Sequence, residues 1–171
     1  NLLPLGGVVQ VLQNLLREQV PIRDLLTILE TLADWSPAVK DLDILTEHVR
    51  HALSRTITKM HLTPEGHIAA ITLGHSMEST ISGALQQTDH GSFLSLDPSV
   101  AQQMMNKLAA ILEKMSSLNY QPVVMCCAQL GSHVKRLIDR FMPHIAVLSY
   151  DEILSNVEIQ SLDMLELSHA D

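Results

Sequence analysis

The feature that most constrains the fold is a change of hydrophobic period near residue 62. Before it, apolar residues recur at helical spacing. Val8, Leu12, Leu15 and Leu16 mark a first helix, and Ile22, Leu25, Leu26, Leu29, Leu32 and Ala33 a second, after Pro21. Trp35-Ser36-Pro37 stops it. A third helix opens near Asp41 and carries Leu42, Leu45, Val49, Ala52, Leu53 and Ile57. Three short amphipathic helices predict a small all-α bundle over residues 1–62, with Leu29 mid-stripe in its core.

Thr63-Pro64-Glu65-Gly66 reads as a turn and a subdomain boundary. Beyond it, strands and helices alternate. Ile68 to Leu73 is a buried strand, followed by a helix with Met77, Ile81, Ala84 and Leu85 on one side. Gly91 to Leu96 is a weaker strand. Asp97-Pro98 supplies an N-cap and a first-turn proline for a long helix with Val100, Met104, Leu108, Ile111, Leu112 and Met115 inside. Pro122 to Cys127 reads as a central strand, Leu130 to Phe141 as a helix, Ile145 to Leu148 as a strand and Val157 to Leu162 as an edge strand. The pattern predicts an α/β subdomain over residues 63–171 with a mostly parallel sheet.

Charge divides at the same place. Residues 1–64 carry six basic and seven acidic side chains, a net of −1; residues 65–171 carry five and twelve, a net of −7. The second part, and its C-terminal end above all, presents an acidic surface that reads first as solubilising, with contact to a basic partner as the alternative and Glu158, Asp163 and Glu166 as its candidates. A chain of net charge −8 repels phosphate backbones, and Trp35, Phe93, Tyr120, Phe141 and Tyr150 are too scattered to stack bases, so nucleic-acid binding is not expected. No apolar run approaches the ~18 residues of a membrane span. The start at Asn-Leu-Leu-Pro reads as a position inside a longer protein. Cys126 and Cys127, adjacent in a strand, point to opposite faces and are expected to be reduced packing residues.

The sharpest catalytic motif is Gly74-His75-Ser76-Met77-Glu78, a serine between a strand and a helix. That is the setting of a hydrolase nucleophile elbow, but Glu78 stands where the tight turn wants glycine. Asp89 or Asp97 with His133 or His144 would complete the triad order, a common enough combination. The plainer expectation is that His75 or Ser76 caps the helix. His48 and His51 lie three apart on one helix beside Glu47, with no clear third ligand, so no metal is expected; the other histidines, His169 among them, are scattered. Neither a dinucleotide nor a phosphate-loop motif occurs, and no cofactor is expected. Lys135, Arg136 and Arg140 are expected to pair with internal acids, and most of the eight methionines to fill the core.

The stretch Val11 to Asp34, VLQNLLREQVPIRDLLTILETLAD, resembles the cytoplasmic region of the FlhA/SctV export-gate family of type III secretion, its flagellar branch most. Asp43–Arg50, Gln87–Pro98, Pro122–Cys126 and Pro143–Ile153 carry the resemblance through nearly the whole chain. It implies a third, helical and a fourth, α/β cytoplasmic subdomain of a protein anchored in the bacterial inner membrane by a preceding region. It further implies a soluble, non-enzymatic docking and ring-forming platform for export substrates, their chaperones and other export-apparatus proteins. An export gate of a virulence system is the alternative, with a serine hydrolase using Ser76 a distant third. Arg17, Glu18, Arg23, Asp24, Glu47 and Arg50, on the charge-balanced helical part, are the candidate ring contacts.

Overall fold

A computed structural model describes residues 2–167; His169 lies outside them. The chain divides into two compact units, one of residues 1–61 with 151–155, the other of residues 62–150 with 156–171.

The first unit is helical: α1 (Leu5–Arg17), α2 (Leu25–Trp35), α3 (Leu42–Ala52) and α4 (Ser54–Met60). The apolar period alone runs the last two together; the structure breaks them at Leu53. Gln19, at φ 63°, ends α1 in a left-handed turn in which Val20 N–H donates to Leu15 O at 2.8 Å and Gln19 N–H to Leu16 O at 3.0 Å. This closure satisfies the last carbonyls and buries Val20. Asp24 caps α2 by accepting from Thr27 N–H at 3.1 Å, and Asp41 caps α3 by accepting from Asp43 N–H at 2.8 Å.

The core of this unit holds Val11, Leu15, Ile28, Leu32, Leu45, Val49, Leu53 and Ile57. Leu29 does not belong to it. Leu29 is 47% exposed and Leu26 69%, with Leu25, Leu16 and Leu5 also exposed. The sequence LLTILETL offers two overlapping apolar stripes, and the structure buries the one through Ile28 and Leu32.

The second unit is built on a four-stranded sheet of β1 (Ile68–Leu73), β4 (Val123–Cys126), β5 (Val147–Ser149) and β6 (Ile159–Leu165), in the spatial order β5-β4-β1-β6. Every neighbouring pair is parallel. Helices α5 (His75–Gly83), α6 (Pro98–Lys114) and α7 (Gly131–Asp139) share one core with Ile71, Leu73, Val124, Cys126, Val147 and Leu165 of the sheet. Gly66, at φ 85°, makes the entry turn, with its N–H donating to Thr63 O at 2.9 Å. Asp97 accepts from Ser99 N–H at 2.8 Å, with Pro98 in the first turn of α6. One departure is local: the helix expected to reach Leu85 stops at Gly83. Leu85–Thr88 (β2) instead pairs antiparallel with Gly91–Leu94 (β3) as a separate two-stranded ribbon. The β-bulge in β6, between the partners of Ala70 and Ile71, shifts the edge strand's register.

Candidate functional site

The expected site residues sort by burial and partner. In the helical unit Arg17 and Arg23 are exposed. Asp24 is exposed but occupied as a cap, accepting Thr27 N–H and the Thr27 hydroxyl (2.6 Å), which holds its carboxyl below the usual range. Arg50 and Glu18 face inward. Arg50 is buried and forked between two carboxylates: Nη1 to Glu18 at 2.6 Å, and Nη2 and Nε to Glu152 at 2.6 and 3.1 Å. Burial pulls the guanidinium pKa down, and Glu152 and Glu18 more than reverse it, leaving it above its ordinary value. An arginine suits this place because its planar fork reaches both acids at once. Glu152 arrives from a segment 102 residues away, so no local sequence pattern could have signalled the pair.

Glu47 lies one helical turn from Asp43. Burial, then the charges of Asp43, Asp151, Asp41 and Glu18, push its carboxyl up to about 7. His51 Nδ1 stands 3.6 Å from Asp151, and His48 is stacked on Trp35 at 3.8 Å and 9°. The two histidines thus have separate partners, and among the described residues no group of three potential ligands could hold a metal.

In the α/β unit, Ser76 is the second residue of α5, whose N-cap is Gly74 and not His75 or Ser76. The helix terminus is filled from a distance: Met77 N–H donates to Glu166 Oε1 at 2.9 Å. A Cβ on Gly74 would stand 2.0 Å from Glu166 Oε2, so only glycine leaves the carboxylate room. The place is the crevice beyond the carboxyl ends of the neighbouring strands β1 and β6. There an open α/β sheet ordinarily takes its ligand, on a helix N-terminus. Here the molecule's own carboxylate fills it, and Lys107 Nζ donates to the Glu166 carbonyl to hold that segment down. His133, one partner considered for Ser76, pairs instead with Ser92 at 3.2 Å. Lys135 is buried, ion-paired to Asp139 at 2.8 Å, with its ammonium donating to the carbonyls of Ile145 (2.7 Å) and Pro143 (3.2 Å). Of the acidic partner candidates, Glu158 is exposed, Asp163 accepts from Met164 N–H at 2.7 Å, and Glu166 is engaged as described. Both cysteines are free thiols, Cys126 buried and Cys127 half-buried, with burial and then a bond to Glu78 raising the Cys127 pKa.

A helical unit with inward ion pairs, joined to an α/β unit whose ligand crevice is self-filled, matches known proteins over nearly its whole length. The FHIPEP family model covers residues 1–158. The chain belongs to the FHIPEP family. The match bears out the resemblance to the FlhA/SctV export-gate proteins of type III secretion. Flagellar biosynthesis protein FlhA of Bacillus subtilis is 36% identical over 98% of this chain and 25% of its own length. CdsV of Chlamydia pneumoniae superposes with a TM-score of 0.87 at 31% identity, over 97% of this chain and 48% of CdsV, and has also been solved in complex with CdsO. The nonameric SctV-C of EPEC gives 0.83 at 32% identity, over 96% and 48%. The chain therefore spans about a quarter of the curated relative and about half of the solved structures. Among the described residues no helix is long and apolar enough to cross a membrane.

Proposed function

We propose that this FHIPEP chain is part of the flagellar type III export gate, lying on the cytoplasmic side of the bacterial inner membrane. It forms rings there and docks export substrates, their chaperones and other apparatus proteins without chemistry of its own. Its two units are the third and fourth cytoplasmic subdomains of the longer protein. The flagellar assignment rests on the FlhA match over 98% of the chain. CdsV in complex with CdsO supports partner docking.

The observation that carries the ring reading is the set of exposed leucines on α1 and α2. Leu5, Leu16, Leu25, Leu26 and Leu29 are all exposed. Large apolar side chains left uncovered together in this way mark an interaction surface. A second copy of the chain is its occupant, because the SctV-C relative is nonameric. Arg17 and Arg23 are exposed on the same unit and would set register, each exposed pair contributing only about 0–1 kcal/mol. Burial of the leucines therefore supplies most of the attraction, and weak contacts suffice once subunits are concentrated by a common anchor.

The test is made in the full-length protein. A photo-crosslinker at Leu26 should yield intersubunit products, and Leu26→Asp with Leu29→Asp should abolish ring assembly and export while leaving the thermal melt unchanged. Crosslinks confined within one chain, or normal rings from the double variant, would overturn the assignment of this face.

A further inference from the structure

A closed ring with an odd number of equivalent subunits, such as the nonameric SctV-C forms, cannot be built from a two-fold contact. Each subunit must offer two different surfaces, one to each neighbour. The exposed leucines of α2 can supply only one of them. Leu25, Leu26 and Leu29 lie on one side of α2, within about 100° of arc at 3.6 residues per turn. Trp35 follows Leu26 by about two and a half turns, so it leaves α2 on the opposite side.

There the Trp35 indole stacks on the His48 imidazole of α3, with ring centroids 3.8 Å apart and planes 9° apart. Ile44 stands one turn before His48 on the same side of α3. Trp35 and Ile44 both remain nearly half exposed. Burial, and then His51, lowers the His48 pKa, so the imidazole is uncharged at neutral pH and does not spoil an apolar surface. The stack also holds the indole in one orientation, so a partner that covers it need not order it first. Binding energy concentrates on large aromatic anchors of this kind. The charges agree. Exposed Arg17 directly follows Leu16, and exposed Arg23 stands just ahead of Leu25; the acids beside them in α2 are Glu30 and the helix cap Asp24. Around the stack the balance is acidic: exposed Asp34 precedes Trp35, and residues 41–49 carry Asp41, Asp43 and Glu47 without a lysine or arginine. Lys40 is the only lysine or arginine between Asp24 and Arg50, and its ammonium donates to Ser36 O at 2.7 Å.

We propose, resting on the ring reading, that the α2 leucines of one copy are received by the Trp35–His48–Ile44 surface of the next copy, with Arg17 and Arg23 facing its acidic border. The full-length protein, expressed as a mixture of isotopically heavy and light copies, tests this. A photo-crosslinker at Leu26 should give heavy–light products that mass spectrometry maps to residues 34–48 of the neighbour. Ile44→Asp changes an exposed side chain, so the thermal melt should stay unchanged. The yield of the Leu26 product should nevertheless fall about tenfold or more, because the new carboxylate would have to lose its water against the leucines. Heavy–light products from Leu26 that map outside residues 34–48, to the neighbour's own Leu25–Leu29 for example, would overturn this pairing and leave the ring reading standing. So would an undiminished yield from Ile44→Asp. Absence of any heavy–light product from Leu26 would overturn the leucine surface of the ring reading, and this pairing with it.

Discussion

Substitution of Gly74 by alanine probes the self-filled crevice, because the structure fixes the sign of its effect in two backgrounds. The new Cβ would stand 2.0 Å from Glu166 Oε2 and 2.5 Å from its Cδ, so the carboxylate must leave. It then gives up the Met77 N–H bond of 2.9 Å and the Leu167 N–H bond of 3.2 Å. A hydrogen bond to a charged group is worth about 1.5–3 kcal/mol, and part of that is the favourable field of the α5 N-terminus. Against this, Gly74 has φ −70° and ψ 161°, which alanine adopts freely, so the stiffer unfolded chain returns about 0.4–1 kcal/mol. The net expectation is destabilisation by about 0.5–2.5 kcal/mol. In a Glu166→Ala background there is no carboxylate to evict, and the same Gly74→Ala change should stabilise by about 0.4–1 kcal/mol. Urea unfolding followed by circular dichroism measures both, with Trp35 fluorescence tracking the helical unit alone. An equal loss in the two backgrounds would show that Glu166 is not what alanine displaces. A gain in both would show that the carboxylate never occupied the helix terminus.

Three further outcomes follow from burial and charge. Ile28→Ala should cost about 2–5 kcal/mol in urea unfolding, whereas the half-exposed Leu29→Ala should cost under about 1 kcal/mol; equal losses would place both in the core. Arg50→Ala strands two mostly buried carboxylates and should cost about 3–5 kcal/mol in the same assay, a loss that an exposed pair would not produce. Glu47 binds its proton more tightly folded than unfolded, so its contribution is complete below the ordinary value of 4.5 and is lost as pH rises through about 7. Partial exposure limits that loss to about 1–2 kcal/mol, and thermal melts at several pH values should show Glu47→Gln more stable than wild type only on the alkaline side.

The legible parts of this chain were those set by local chemistry. Strand β1 falls at Ile68–Leu73 as its apolar run predicts, the Asp97-Pro98 pair opens α6, and Trp35-Ser36 closes α2. The phase of α2 was not legible, because apolar residues at both Leu25-Leu26-Leu29 and Ile28-Leu32 satisfy one helical period. Only the neighbouring helices decide which stripe is covered. The β2–β3 ribbon escaped for the opposite reason: Leu85–Thr88 is mostly polar and exposed, with little apolar signal of either period. The site-level contacts were least visible. Arg50 meets Glu152 across 102 residues, and Gly74 meets Glu166 across a parallel strand pair, so charge balance pointed to these residues but not to their partners. Charge alone suggested Arg50 as a surface contact, while its burial engages it inside the helical unit.

The excursion of residues 151–155 has a consequence for inheritance. The polypeptide passes between the two units three times, at 61/62, 150/151 and 155/156. A protease that nicks the turn at Thr63–Gly66 therefore releases nothing at once, since the helical part still grips a loop of the other fragment through Glu152 and Leu154. Truncation after residue 61 would remove Glu152 and with it one of the two carboxylates in the Arg50 fork. Recombination between related genes meets the same restriction. A crossover at the turn would bring Arg50 and Glu18 from one parent and residue 152 from the other, and only parents that agree at 50 and 152 would restore the fork on two carboxylates. The two units look like separable modules on the chain, yet they must be inherited as one.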